Sequence, residues 1–363
     1  MRTKTFVLFL ICVVATSVFL IVFGNQRPSI QSIVSETHKQ LTNLKNFKEN
    51  LENAEEKRLV ADEKYLTLLG FTEHARLYPS AVWKNTSLPI VVTYVSDGQE
   101  QQAVGFARNV AHFLPNHTAI IYNLGLGQYG LQMFSLFFQL LTHCNSSRCV
   151  VVNFDFSAFP SHVEEERLHA FRPLLIQDAL NKAGAVLFME CDYRLLTGRI
   201  EPLLQTALKG GGVLGWATKR ATSSLTHPKM FDYFHTTAES FLFLPMVETN
   251  RLLLYNTEGV HEELMLPWVQ CALTPDCVHP IGAQSGGCRF DKKPQYRYSG
   301  CHRYDGSALN IVLGLRFGLD ETQYTYQGHE QFFRRVGPDV AAAEMVGLEN
   351  NTTEATSSNR DIT

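Results

Sequence analysis

Residues 185–193 read Ala-Val-Leu-Phe-Met-Glu-Cys-Asp-Tyr. Five apolar residues run into two carboxylates, Glu190 and Asp192, spaced two apart. The apolar strand delivers both to one side, since alternate residues of a strand point the same way. Two carboxylates on one side, at the mouth of a sheet, could hold a hard divalent cation. Mg²⁺ or Mn²⁺ typically shares its remaining positions with substrate phosphates. The competing reading is a pair of solvated turn residues, because charged residues are common in turns.

A pair placed this way needs a buried strand and a sheet around it. Pro89–Val95 is rich in β-branched residues and bounded by the turn signal Ser96-Asp97-Gly98. Gln99–Phe113 carries Ala103, Phe106, Ala107, Val110 and Phe113 at helical spacing. Thr118–Asn123, Cys149–Phe154, Ala185–Met189 and Gly212–Ala217 read as further strands. Helices are predicted over Leu131–Leu141, Arg167–Leu180 and Ile200–Leu208. A last helix opens at Asp305, an N-cap by residue type, and stops at Gly318. The alternation predicts an α/β fold with a mostly parallel central sheet flanked by helices. Such sheets bind ligands beyond the carboxyl ends of their strands. The dinucleotide and Walker A glycine patterns are absent; only Gly125-Leu-Gly127 follows the second strand.

Composition narrows the class. With 45% apolar residues, the 363-residue chain can bury a sizeable core. A net charge of −3 argues against a dedicated nucleic-acid binder. The uncharged run Phe6–Phe23, preceded by Arg2 and Lys4, is long enough for a bilayer. It lacks small residues at its end, so an uncleaved signal anchor is favoured over a cleaved signal peptide. The positive-inside rule then leaves 1–5 in the cytosol and sends the rest into the lumen. Sequons at Asn85, Asn116, Asn145, Asn350 and Asn351 suit a lumenal glycoprotein. Residues 24–80 read as a helical stem, with Val34, Leu41, Leu44 and Leu51 near heptad spacing, which allows a homodimer. Residues 81–340 then form the main domain, and 341–363 a disordered tail. The cysteines fit an oxidising lumen as Cys144–Cys149, Cys271–Cys277 and Cys288–Cys301, with Cys191 unpaired; other connectivities stay open.

Anchor, stem, alternating domain and strand–D-x-D together resemble the Golgi glycosyltransferases of the GT-A type. AFRPLLIQDALNKAGAVLFMECDYRLL resembles the helix–strand–D-x-D unit of the glycogenin-like enzymes, and GCHRYDGSALNIVLGLRFG resembles their late helix start. THPKMFDYF, LPWVQCAL and CHRYDGSAL resemble, more closely, an animal family of lumenal glycosyltransferase-like proteins, which supplies no activity to carry over. The resemblance implies a nucleotide-diphospho-sugar transferase fold that takes a UDP-sugar, with Mn²⁺ or Mg²⁺, and a glycan or glycoprotein acceptor at the Golgi membrane. Asp97 would meet the nucleoside, or make an ordinary turn. Arg172 would clamp the diphosphate, since guanidinium pairs with phosphate bidentately, or be a surface charge. Glu190 and Asp192 would contact the donor and its metal, and His302 would be a late metal ligand or a packed loop residue. His227 would touch sugar or acceptor. Asp305 would be catalytic. Two departures stand out: Glu190 replaces the usual first Asp, and Gly306 stands where Gln is usual. They admit a second expectation, an inactive lumenal module that binds a glycan or nucleotide-sugar. A third is a membrane-anchored structural partner with no pocket at the strand ends.

Overall fold

The computed structural model describes residues 11–18, 57–72, 88–125, 140, 142, 144, 148–291 and 293–344. The chain divides into two units, Met1–Lys57 and Arg58–Thr363. In the first, residues 11–18 are helical. Among the described residues no helix is long and apolar enough to cross a membrane. The rest of the expected span 6–23, most of the stem 24–80 and the Leu131–Leu141 helix apart from Leu140 lie outside the described residues. So do four of the five sequons; Asn116 is exposed in a turn.

In the second unit the principal elements are α1 (Glu63–Leu68), β1 (Ile90–Val95), α2 (Glu100–Phe113), β2 (Ala119–Asn123), β3 (Cys149–Asn153), α3 (Phe171–Ala183), β4 (Ala185–Met189) and β5 (Tyr193–Leu195). They continue with α4 (Glu201–Lys209), β6 (Val213–Leu214), β7 (Ala217–Ala221), β8 (Pro245–Val247), β9 (Arg251–Tyr255), α5 (Leu266–Leu273), α6 (Asp305–Arg316) and β10 (Phe333–Arg335). Six strands form one sheet in the order β3-β2-β1-β4-β9-β6. β3, β2, β1 and β4 are parallel neighbours. β4 and β1 are apolar throughout or nearly so because helices cover both faces. Val91, Val95 and Leu187 pack with Ala103, Phe106 and Val110 of α2. Val92, Tyr94, Val186 and Phe188 pack with Leu174, Leu175 and Ala179 of α3. The period of two assigns each strand residue to one layer.

Several boundaries differ from expectation, each for a local reason. β9 interrupts the parallel order. It lies antiparallel between β4 and β6, with Met189 opposite Arg251 and Phe188 opposite Leu252. The helix expected from Arg167 begins at Phe171, because Glu166–Leu168 is a 3₁₀ turn and His169 takes φ 51°. The strand expected over Gly212–Ala217 splits into β6, which joins the sheet, and β7, which pairs with β8. β5 pairs instead with β10, 138 residues later by the Leu195–Phe333 register.

The edges of the folded unit also move. Leu59, Ala61, Tyr65, Leu69 and Phe71 pack on the α3 side of the core, so 58–72 belongs to the folded unit and not to a solvated stem. Gln177 Nε2 donates to the Leu69 carbonyl at 3.1 Å. At the other end, residues 338–344 are helical and Ala341 is buried. Glu344 pairs with the buried Arg194 at 3.0 Å, so order runs past the expected limit at 340. The three expected disulfides are present, with Cα separations of 4.8, 5.2 and 5.0 Å, and Cys191 is a buried free thiol.

Leu69 is 3% exposed. Leu69→Ala should lower stability by about 2–5 kcal/mol, the usual range for a buried leucine. Urea unfolding followed by tryptophan fluorescence measures it. A change within experimental error would return 58–72 to the stem.

Candidate functional site

At the junction of β1 and β4, strand order reverses in sequence: β2 and β3 lie on one side, and the later strands on the other. Such a switch point leaves a crevice at the carboxyl ends of the strands. Here it holds a buried ion cluster. Arg172, in the first turn of α3, has a side chain 4% exposed. Its Nη2 donates to Glu190 Oε1 at 2.7 Å, and its Nη1 to Asp305 Oδ2 at 2.6 Å and to Thr249 Oγ1 at 2.8 Å. The Tyr94 hydroxyl donates to Glu190 Oε1 at 3.4 Å. β4 ends at Met189, and Glu190 N–H still bonds to the Asn250 carbonyl, so β9 delivers Thr249 beside Arg172. Gly306 has room for this contact. A Cβ there would come to 3.3 Å from Thr249 Cγ2.

Asp305 was expected as an N-cap, but Tyr304 occupies that position and Asp305 is the first helical residue. Tyr304 takes φ 47°, a strained value for a bulky residue. Its ring packs edge-on against His302 and His279, with centroids 5.0 and 5.5 Å away. The Trp268 indole donates to the Asp305 carbonyl at 2.9 Å. This turn aims the Asp305 side chain at Arg172.

Burial governs the electrostatics. It pushes Asp305 up to about 6, against the downward pull of Arg172. Burial also opposes the charge on Arg172, but Asp305, Tyr94 and Glu190 outweigh it and raise the guanidinium above its ordinary value. Burial raises Tyr94 as well.

The cluster floors a cavity of about 640 Å³, lined further by Arg220, Glu248, Phe290, Arg303 and Arg335. A second cavity, of about 560 Å³, lies at the end of β1 and is lined by Gly98, Gln99, Gln102, Asp192 and Gly337. Arg335 lines both. Of the residues singled out from sequence, the first cavity therefore gathers Arg172, Glu190, Asp305 and His302. Asp192 lines the second cavity. Asp97 is exposed on the turn after β1, and neither cavity includes it. His227 caps the short helix Pro228–Phe231 through its Nδ1.

The expectation that Glu190 and Asp192 share one side is corrected. The strand stops before them, and Tyr193 N–H bonds back to the Glu190 carbonyl in a turn. Asp192 Oδ2 accepts from Arg335 Nε at 2.6 Å, while its Oδ1 is shut off from solvent without a hydrogen-bond partner. The residues do not fit the Mn²⁺ or Mg²⁺ that the resemblance implies. Each acidic side chain is engaged by an arginine, and the two face different cavities. His302 is also ruled out as a ligand. Its Nδ1 accepts from the His227 N–H at 3.1 Å, which leaves Nε2 to donate to the Val278 carbonyl at 3.1 Å. Among the described residues no group of three or more His, Cys, Asp or Glu is placed to hold a metal.

Sequence reading missed Tyr94, Thr249, Trp268 and Arg335. Tyr94 stood in view beside Thr93 as a hydroxyl-bearing residue of a buried strand. The paired Arg334-Arg335 before Val336-Gly337-Pro338 was a basic signal, and nothing in the sequence marks Thr249.

No protein-family model and no curated protein matches the chain. Among solved structures, similar chain traces include an active-site mutant of LgtC, at 11% identity and a TM-score of 0.35 over 52% of this chain and 64% of that one. Mouse xyloside xylosyltransferase 1 aligns at 12% identity and 0.34, covering 66% and 84%. The mannosyltransferase Ktr4p from S. cerevisiae aligns at 9% and 0.37, covering 69% and 82%. This chain thus spans under two thirds of the LgtC chain. At such values the likeness carries no argument about activity.

Arg172→Met should cost about 3–5 kcal/mol, because it strands buried carboxylates without their partner. Chemical denaturation measures the loss, and a change below 1 kcal/mol, roughly the worth of a surface pair, would contradict the buried bridge. The pH dependence has a definite sign. His302 is buried and its pKa is lowered from 6.5 to about 3 by burial. Between those values the unfolded chain takes up a proton that the fold refuses, so stability falls as pH drops from 6.5 towards 3. The slope is up to about 1.4 kcal/mol per pH unit for each such group. His117, His169 and His261 are lowered by burial too and add in the same sense. Asp305 acts oppositely, from 3.8 to about 6. Urea midpoints from pH 7 to 5 should decline, and less steeply in His302→Gln.

Proposed function

We propose that this chain moves a sugar from a nucleoside-diphosphate donor to a carbohydrate acceptor, as a GT-A-like glycosyltransferase of the secretory lumen. The observation that carries the reading is the Glu190–Arg172–Asp305 bridge, buried at a sheet switch point beneath a cavity rimmed by arginines. Cationic side chains there suit a leaving group that develops negative charge. Three disulfides favour an oxidising compartment. The type II topology, with an anchor at 6–23 and a Golgi address, belongs to this proposal and rests on the sequence.

In the transfer, the acceptor hydroxyl oxygen bonds to the anomeric carbon. The bond from that carbon to the diphosphate breaks, and the diphosphate leaves with the electron pair. The hydroxyl proton passes to the Asp305 carboxylate, whose raised pKa of about 6 suits a base near neutral pH. Arg172 keeps that carboxylate charged and oriented. A second reading, a binding module without transfer, is favoured by the same ion pair, since Arg172 already occupies Asp305 Oδ2.

Donor hydrolysis or transfer by the purified chain separates the two readings, with UDP- and GDP-sugars as probes. If it is a transferase, Asp305→Asn should lower turnover by about 10²–10⁴-fold, the range of a lost general base, while nucleotide binding stays. Wild-type turnover should fall as pH drops below about 6 and the base becomes protonated. Tight nucleotide binding with no turnover of any donor would establish the binding module.

A further inference from the structure

The two cavities meet at one charged side chain. The smaller lies at the carboxyl end of β1, lined by Gly98 at φ 83°, by Gln102 and by Gln99, whose side-chain oxygen accepts from the Ser96 N–H and Oγ. Its volume of about 560 Å³ falls in the usual range for a small-molecule site, about 300–1,000 Å³. The larger contains the Glu190–Arg172–Asp305 bridge. Between them, on β10, stands Arg335. The antiparallel pairing of β10 with β5 sets it opposite Tyr193, and the Val336 N–H bonds to the Asp192 carbonyl at 2.7 Å. Asp192 Oδ2 then takes the Arg335 Nε at 2.6 Å. That contact uses the inner edge of the guanidinium. The two Nη groups have no hydrogen-bond partner among the described residues, and the side chain is 66% exposed.

Asp192 is therefore a support and Arg335 the charge that meets solvent. The other carboxylate of the sequence pair, Glu190, is committed to Arg172. Neither offers a metal a free, accessible pair of oxygens. An elongated anion with one end in each cavity would carry its charge past Arg335, whose planar fork matches phosphate oxygens.

We infer that Arg335, braced by Asp192, takes the diphosphate of a nucleoside diphosphate whose nucleoside lies in the cavity at the β1 end, and that this binding needs no divalent cation. The inference rests on the proposed donor class and deepens it. It assigns the half-site for each part of the ligand and replaces the expected metal with a side chain.

The test is calorimetry of UDP and GDP with the purified full-length chain, in EDTA and in Mn²⁺. At least one nucleotide should bind in EDTA, with affinity within about threefold of that in Mn²⁺, a difference below 1 kcal/mol. Removing a charge-assisted contact should weaken binding by tenfold or more, so Arg335→Gln should show roughly that loss and Arg335→Lys a smaller one. Because Arg335 is exposed, an unchanged melting temperature confirms that Arg335→Gln folds. Asp192→Asn keeps the cation but loosens its brace, so it should weaken binding in EDTA by less than Arg335→Gln does. Binding that appears only with Mn²⁺, or that vanishes in Asp192→Asn yet survives in Arg335→Gln, would overturn the inference and leave the donor class standing. Absence of binding by both nucleotides in either buffer would overturn the inference and the donor class together.

Discussion

A guanidinium shut away from water requires compensation, and Arg172 sets the terms for everything around it. With a side chain 4% exposed, it needs at least one carboxylate close by. It has two, drawn from positions 18 and 133 residues away. The strain at Tyr304, the antiparallel entry of β9 and the space at Gly306 all serve that meeting. The α3 turn preceding the cation is itself unusual, with His169 in the left-handed region. β9 is also held by its own ladders to β4 and β6 and by the buried Leu252, Leu253 and Leu254.

The same constraint explains why two neighbouring carboxylates take different roles. Glu190 turns inward because Arg172 and Tyr94 receive it. Asp192, two residues later, is carried around a turn to meet a strand from the end of the folded unit. Spacing alone could not separate them. The period-two argument holds only while the chain stays extended, and the ladder pairing of β4 with β9 ends at Met189 opposite Arg251.

Much of the fold was legible in the sequence. β1, β2, β3 and β4 are short β-branched or apolar runs between turn signals, and buried parallel strands have that composition. The short loops favoured the three disulfide pairs that the structure contains, without excluding other connectivities. Arg172, Glu190 and Asp305 could be named as candidates from residue type and from resemblance. Their mutual contact could not, because it depends on how distant segments cross. β9 was missed for the same reason. Arg-Leu-Leu-Leu-Tyr has no alternation, and leucine suits a helix as well as a strand. Thr249 and Arg335 gain meaning only from strands that come back to the sheet's carboxyl edge. Asp97 and His227 show the converse. Their types invite chemistry, but their positions serve a turn and a helix cap.

The pairing of β5 with β10 joins an early segment of the chain to one made much later. All six strands of the central sheet have been synthesised once residue 255 is reached. The residues that finish the crevice, from His302 to Arg335, come later and cross back over a sheet already available to fold. Domains emerge from the ribosome amino-terminus first, at about 5–20 residues per second. Until α6 is made, Glu190 is the one carboxylate of the bridge available to Arg172. Closing the crevice over Arg172 therefore awaits α6, which brings the second carboxylate, Asp305.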